Sequence, residues 1–205
     1  MNYLAHLLLA ENSPESRIGN LLGDFVKGDL QKYKTCYTEG IIKGVKTHRK
    51  VDNFTDTHRI YIRSKRRINS SNKRFSGIII DICYDHFLAN HWSVFSNEKL
   101  EDFIDNIYEL LLENNEILPI RLQQGLPRMI AENWLGSYKT LEGVDLTFAR
   151  IARRLKRENN LATALDELID NYAEIESDFL SFFPELIGYV EKIHPVESNL
   201  LESDR

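Results

Sequence analysis

Apolar side chains recur at helical spacing through most of the chain. From Leu100, the residues Phe103, Ile104, Ile107, Tyr108, Leu111 and Leu112 fall on one face of an α-helix. Leu161, Leu165, Leu168, Ile169, Tyr172, Ile175, Phe179 and Phe182 keep the same rhythm in a last long helix, which Pro184 should end or kink. The stretch 146–156 reads as a shorter basic amphipathic helix. Interruptions near 11–14, 28–33, 64–77, 114–119 and 136–143 separate the helical segments. Ile78-Ile79-Ile80 alone would suit a strand, but the apolar pattern runs on to Phe95, too far for one. No internal repeat or low-complexity linker divides the chain. The pattern predicts a single all-α domain over 1–194 and a frayed polar tail over 195–205.

Composition narrows the setting. The chain has 205 residues, 42% of them hydrophobic, enough to fill one real core. Its two cysteines, Cys36 and Cys83, form no CxxC motif, which argues against a cysteine zinc site or a disulfide framework and favours a reducing, cytoplasmic setting. The apolar run near Met1 lacks a basic flank and is interrupted by His6, unlike a signal peptide. No stretch approaches the ~20 apolar residues of a membrane span, so a soluble protein is expected. Net charge is −5, yet 43–74 holds eleven Lys/Arg against Asp52 and Asp56, a local +9. Such a stretch is either a solvated basic face or a docking surface for an acidic partner.

Ionisable residues interrupt the apolar pattern in four places. His6 stands alone on an apolar helix, where a histidine is more often a hydrogen-bonded core residue than a ligand. In a second helix, expected over 16–27, Asn20, Asp24 and Lys27 share one stripe, which fits a solvent face or a site. Ile41, Val45, His48 and Asp52 are spaced four, three and four apart, so a core-facing stripe ends in a His and an Asp that can meet one metal ion or form a buried ion pair. Asp56 extends that row by a turn. In Asp81–Trp92, Asp81 and Asp85 are i, i+4 neighbours, and His86 is turned ~100° from Asp85. Either of that pair can ligate while the other orients a ligand. His91 and Trp92 close the segment, with Trp92 expected as core or pocket wall. Burying such groups costs several kcal/mol unless they are paired or hold a metal. Their convergence points to a metal-dependent phosphohydrolase, in which the ion activates water and takes up phosphoryl charge.

The blocks 2–7, 19–28, 48–56 and 85–92, in that order, resemble the acyl carrier protein phosphodiesterases, and Trp134-Leu135 and Tyr138 continue the likeness more weakly. The resemblance implies an all-helical relative of the HD-domain phosphohydrolases, although the adjacent pair Asp85-His86 reverses the HD order. It implies hydrolysis of the phosphodiester joining 4′-phosphopantetheine to a serine of holo-acyl carrier protein, with a divalent cation: Mn²⁺ first, Mg²⁺ or Fe²⁺ next. His6, Asp24, His48, Asp52, Asp85 and His86 form the pool of metal ligands, with Asp56 and His91 as candidate general acids. The partner is the acidic carrier rather than nucleic acid. Arg59, Arg63, Lys65, Arg66 and Arg67 are expected to dock it, and Arg49 or Lys27 to meet the phosphodiester, with Asn20 and Trp92 also on the substrate. Two rivals stand beside this reading. One is a helical phosphohydrolase of a small diester, nucleotide or lipid headgroup; the other is a non-catalytic carrier-binding module with buried ion pairs.

Overall fold

In a computed structural model, residues 1–69, 71–156 and 158–194 are described, and no strand occurs among them. The expected tail over 195–205 lies outside the described residues. The α-helices run in the order α1 (Tyr3–Leu8), α2 (Pro14–Leu22), α3 (Glu39–Thr57), α4 (Arg59–Arg67), α5 (Ser76–Asn90), α6 (Trp92–Phe95), α7 (Leu100–Glu113), α8 (Ile120–Ala131), α9 (Leu141–Arg154), α10 (Leu165–Asp170) and α11 (Tyr172–Ile193). Among the described residues, no helix is long and apolar enough to cross a membrane.

The centre of the molecule is α5. Ile79, Ile80, Ile82, Cys83, Tyr84, Phe87 and Leu88 are all fully buried on it. A helix that is apolar all round belongs in a core, so the strand alternative for Ile78–Ile80 fails. Around α5 pack α1, α4, α9, α11 and the 3₁₀ turn Gly136–Lys139.

Helices α2 and α3 form the tightest pair. A Cβ on Gly19 would lie 2.2 Å from the Ile41 carbonyl oxygen, and one on Gly44 would lie 2.6 Å from the Ser16 carbonyl oxygen. Only glycine lets the two backbones approach so closely. Both helices start cleanly: the Ser13 hydroxyl accepts from Ser16 N ahead of Pro14, and the Thr38 hydroxyl accepts from Ile41 N.

Two helix boundaries differ from the sequence expectation. The second helix stops at Leu22 and is capped by Gly23, so Asp24 and Lys27 lie on a loop rather than on a helical stripe. Arg49 satisfies that loop, donating to the Val26 carbonyl at 3.0 Å and the Gly28 carbonyl at 2.9 Å. The last segment is broken at Asn171, which separates α10 from α11, and Pro184 sits inside a helix that continues to Ile193. Phe179, Phe182, Phe183 and Leu186 on α11 are fully buried. At ~1.5–3 kcal/mol each, they outweigh the ~3 kcal/mol that an internal proline costs.

Candidate metal centre and adjoining cavity

Two helices and one loop bring together part of the predicted ligand pool. His48 and Asp52 project from one face of α3, one turn apart, with His48 Nε2 3.0 Å from Asp52 Oδ2. His6, on α1, places Nε2 3.1 Å from Asp52 Oδ1 and stacks its ring on His48 at 3.7 Å. Asp24 completes the group from the loop after α2, with Oδ1 3.8 Å from His48 Nε2. One ligand atom from each of His6, His48 and Asp52 lies within 4.8 Å of the other two.

The surroundings fix how these groups present themselves. His48 Nδ1 lies 2.8 Å from the Asn20 carbonyl oxygen, which can only accept, so Nδ1 carries the proton. In neutral His48, Nε2 therefore turns its lone pair toward Asp52, and two acceptors 3.0 Å apart need a proton or a cation between them. A backbone carbonyl that sets the tautomer through the other ring nitrogen is the usual support of a metal-bound histidine. Gly23 is part of the same arrangement, because a Cβ there would lie 2.1 Å from the His48 ring.

His6 is buried, and neither ring nitrogen meets a partner along a hydrogen-bond direction. Its Nε2 comes within 3.1 Å of Asp52 Oδ1 without the direction of a hydrogen bond. Burial above all, then His48, lowers its pKa to about 4, so the imidazole is neutral and in ligating form at neutral pH. Burial pushes the Asp52 carboxyl up, but contacts from His48 and His6 outweigh it and hold the group well below the usual carboxylate range. An orphaned buried imidazole, a lone pair facing a carboxylate and a firmly ionised Asp52 fit a divalent cation.

Asp85 and His86 are not in this cluster. Asp85 is fully buried, and its carboxylate accepts from Leu4 N at 2.8 Å and Ala5 N at 3.4 Å. It thereby occupies free N–H groups in the first turn of α1. Burial raises its pKa to about 7, against the hydrogen bond from Leu4. His86 faces elsewhere. Its Nδ1 donates to the Tyr138 carbonyl at 2.7 Å and its Nε2 accepts from the Tyr172 hydroxyl at 2.9 Å, leaving no ring nitrogen for a metal.

Other expected site residues are also redistributed. Arg49 spends its guanidinium on the loop carbonyls. Asn20 is buried, and its side-chain amide donates to the Ser16 carbonyl. Trp92 is core: its ring packs on Phe103 and its indole N–H donates to the Glu98 carbonyl. His91 pairs with Glu176 at 2.8 Å, and Asp56 lies 3.9 Å from Lys65. Arg63 and Arg67 both point at buried Asp178, so they are committed to the fold. Arg59, Arg66 and Lys27 are exposed and form no ion pair among the described residues.

Beside the cluster lies a cavity of about 250 Å³, lined on one side by Asp24, Asp81 and Tyr3 and on the other by Trp134, Tyr138, Arg150, Ile151 and Arg154. Asp81 accepts from the Tyr61 hydroxyl at 2.7 Å and lies 3.0 Å from the Met1 amino group. The sequence reading assigned the second wall no role. Its traces were the weak likeness at Trp134-Leu135 and Tyr138 and the basic last turn of α9, where Thr147, Arg150, Ile151 and Arg154 share one face.

A family model described as acyl carrier protein phosphodiesterase matches residues 1–186. The protein of that name from Yersinia pestis is 33% identical over 188 residues, covering 91% of this chain and 96% of the relative. That from Photorhabdus laumondii is 30% identical over 192 residues, covering 93% and 96%. One from Escherichia coli O157:H7 is 28% identical over 193 residues, covering 94% and 98%. No solved structure matches the chain, so the expected kinship with HD-domain proteins draws no support from that side.

Proposed function

The chain belongs to the acyl carrier protein phosphodiesterase family, and on that premise we propose that it hydrolyses the diester linking 4′-phosphopantetheine to the carrier serine. The products are apo-acyl carrier protein and free phosphopantetheine. The observation that carries this reading is the convergence of His6, His48 and Asp52 beside an open cavity. These three would hold a divalent cation, Mn²⁺ being the first choice, with Asp24 at its open side. When bound, the ion acts as a Lewis acid on the phosphoryl group and on water.

The chain's own residues have separable roles. Asp52 is the anionic hub between two imidazoles. The Asn20 carbonyl keeps the His48 proton on Nδ1. Arg49 pins the loop that presents Asp24, rather than meeting the phosphodiester. Asp24 is half exposed and lines the cavity, placed to accept the proton of an attacking water. Neither Asp56 nor His91 lines that cavity, so neither is retained as the acid for the leaving serine. Carrier docking falls to the outer face of α4, where Arg59 and Arg66 remain free and Lys65 lies over the Tyr61 ring. Tyr61 links that helix to the cavity through Asp81.

The deciding experiment incubates the purified protein with holo-acyl carrier protein and Mn²⁺, with and without chelator, and follows the carrier's mass. Loss of the phosphopantetheine mass only without chelator supports the reading. An intact carrier in both arms overturns it, and cleavage indifferent to chelator removes the metal from it.

A further inference from the structure

The cavity beside Asp24 has two unlike sides. One side meets the His6–His48–Asp52 cluster through Asp24. The other is an aromatic and aliphatic wall built by Trp134 and Ile151, faced by Tyr3. Two guanidinium groups lie over the Trp134 ring, Arg150 at 4.7 Å and Arg154 at 5.3 Å from its centroid.

The two arginines differ in what they already hold. Arg150 donates to the Thr147 hydroxyl at 2.7 Å and sits 3.4 Å from Glu132. It is tied into the wall. Arg154, one turn further along α9, is exposed and has no ion pair or hydrogen bond from its guanidinium among the described residues. Stacking on Trp134 orders it without neutralising it. Glu132 accepts from the Trp134 indole N–H at 2.8 Å, so the ring under Arg154 is itself held in place. An ordered, unpaired guanidinium in a cavity that opens on a metal-type cluster is suited to a phosphate oxygen.

We propose that this cavity is the phosphopantetheine subsite: Arg154 binds the phosphate, and Trp134, Ile151 and Tyr3 line the path of the neutral pantetheine chain. The inference rests on the function proposed above and deepens it. It replaces Arg49, which the structure commits to the Val26 and Gly28 carbonyls, as the cation that meets the phosphodiester. It also divides recognition in two. The carrier protein is read at α4, and its prosthetic arm at α9.

Binding to metal-stripped protein tests this without turnover. Calorimetric titration compares 4′-phosphopantetheine with pantetheine, which lacks the phosphate. Wild type should prefer the phosphorylated compound by about 10- to 100-fold, the worth of a charge-assisted hydrogen bond. Arg154→Gln should abolish that preference and leave pantetheine binding unchanged, and Arg154→Lys should restore part of it. Trp134→Ala should weaken both compounds, the phosphorylated one more, because it also frees Arg154. A preference retained in Arg154→Gln, or absent in wild type, overturns the proposal. The carrier-mass assay keeps the two claims apart. An uncleaved holo-carrier with the binding preference intact sinks the reaction and leaves the subsite. Cleavage with an unchanged KM for the carrier in Arg154→Gln sinks the subsite and leaves the reaction.

Discussion

At the scale of single residues, Asp85 shows how a buried charge serves a site it does not touch. Its carboxylate holds the first turn of the six-residue α1, which carries His6. Asp85→Ala leaves Leu4 N–H and Ala5 N–H unpaired in the core, at a cost of about 2–4 kcal/mol; urea unfolding measures it. Asp85→Asn keeps an acceptor and should cost less. The pH dependence has a definite sign. The folded-state pKa of about 7 lies above the ordinary 3.8, so between those values the folded chain holds a proton that the unfolded chain releases. Stability from this group falls as pH rises through that window, and Asp85→Asn should flatten the fall. A wild-type slope unchanged in the variant assigns it to another group. Sequence spacing showed that Asp85 and His86 face different ways. It held no information on what each face meets, because Leu4 and Tyr138 arrive from remote parts of the chain. His48 and Asp52 were legible because an i, i+4 pair on one helix needs nothing remote to bring it together.

At the scale of helices, α4 divides its charges by phase. Ile60, Tyr61 and Ser64 are buried; Arg63 and Arg67 turn back to Asp178, which also accepts from the Ser64 hydroxyl at 2.8 Å. Burial pushes the Asp178 carboxyl up, but these donors outweigh it and lower its pKa. The segment's +9 therefore overstated the free surface, since a charge count cannot see an acid more than a hundred residues away. Reversing Arg59 and Arg66 to Glu should raise the KM for holo-carrier and flatten its dependence on salt, with melting temperature little changed. Reversing Arg63 should instead destabilise the fold by about 1–3 kcal/mol, because it removes a charge-assisted hydrogen bond and adds a like charge beside buried Asp178, which keeps Arg67 and Ser64. Equal kinetic effects with equal stability losses in both sets would place the docking surface elsewhere. Helix phase was readable throughout, but boundaries set by remote packing were not. Gly23 ends α2 where the His48 ring fills the space of a Cβ, and α11 runs through Pro184 because its buried aromatics hold it.

At the scale of the whole molecule, the candidate ligands all come from the first 52 residues, but no short piece holds them in place. Helix α1 hangs on α5 through Asp85, α3 packs on α2 through two glycines, and α11 closes over α3, α4 and α5. The all-α class followed from periodicity alone. The cavity did not, because its far wall is α9, a hundred residues from His48, and nothing local pairs Arg154 with Asp24. A site assembled only in the folded chain must couple to folding. A cation that binds the native state alone adds about 2.7 kcal/mol at a hundredfold excess over its Kd, which for a domain of this size raises Tm by about 5–10 °C. Scanning calorimetry with Mn²⁺ and after chelation reads this directly. His48→Ala and Asp52→Ala should still unfold cooperatively but lose the metal-dependent rise. Asp24→Ala should keep part of it, since Asp24 stands at 3.8 Å on the open side of the cluster. His86→Ala should keep all of it, because both ring nitrogens of His86 already have protein partners. A rise that survives in His48→Ala but vanishes in His86→Ala would move the ion from α3 to the far face of α5 and remove the basis for placing the reaction beside Asp24.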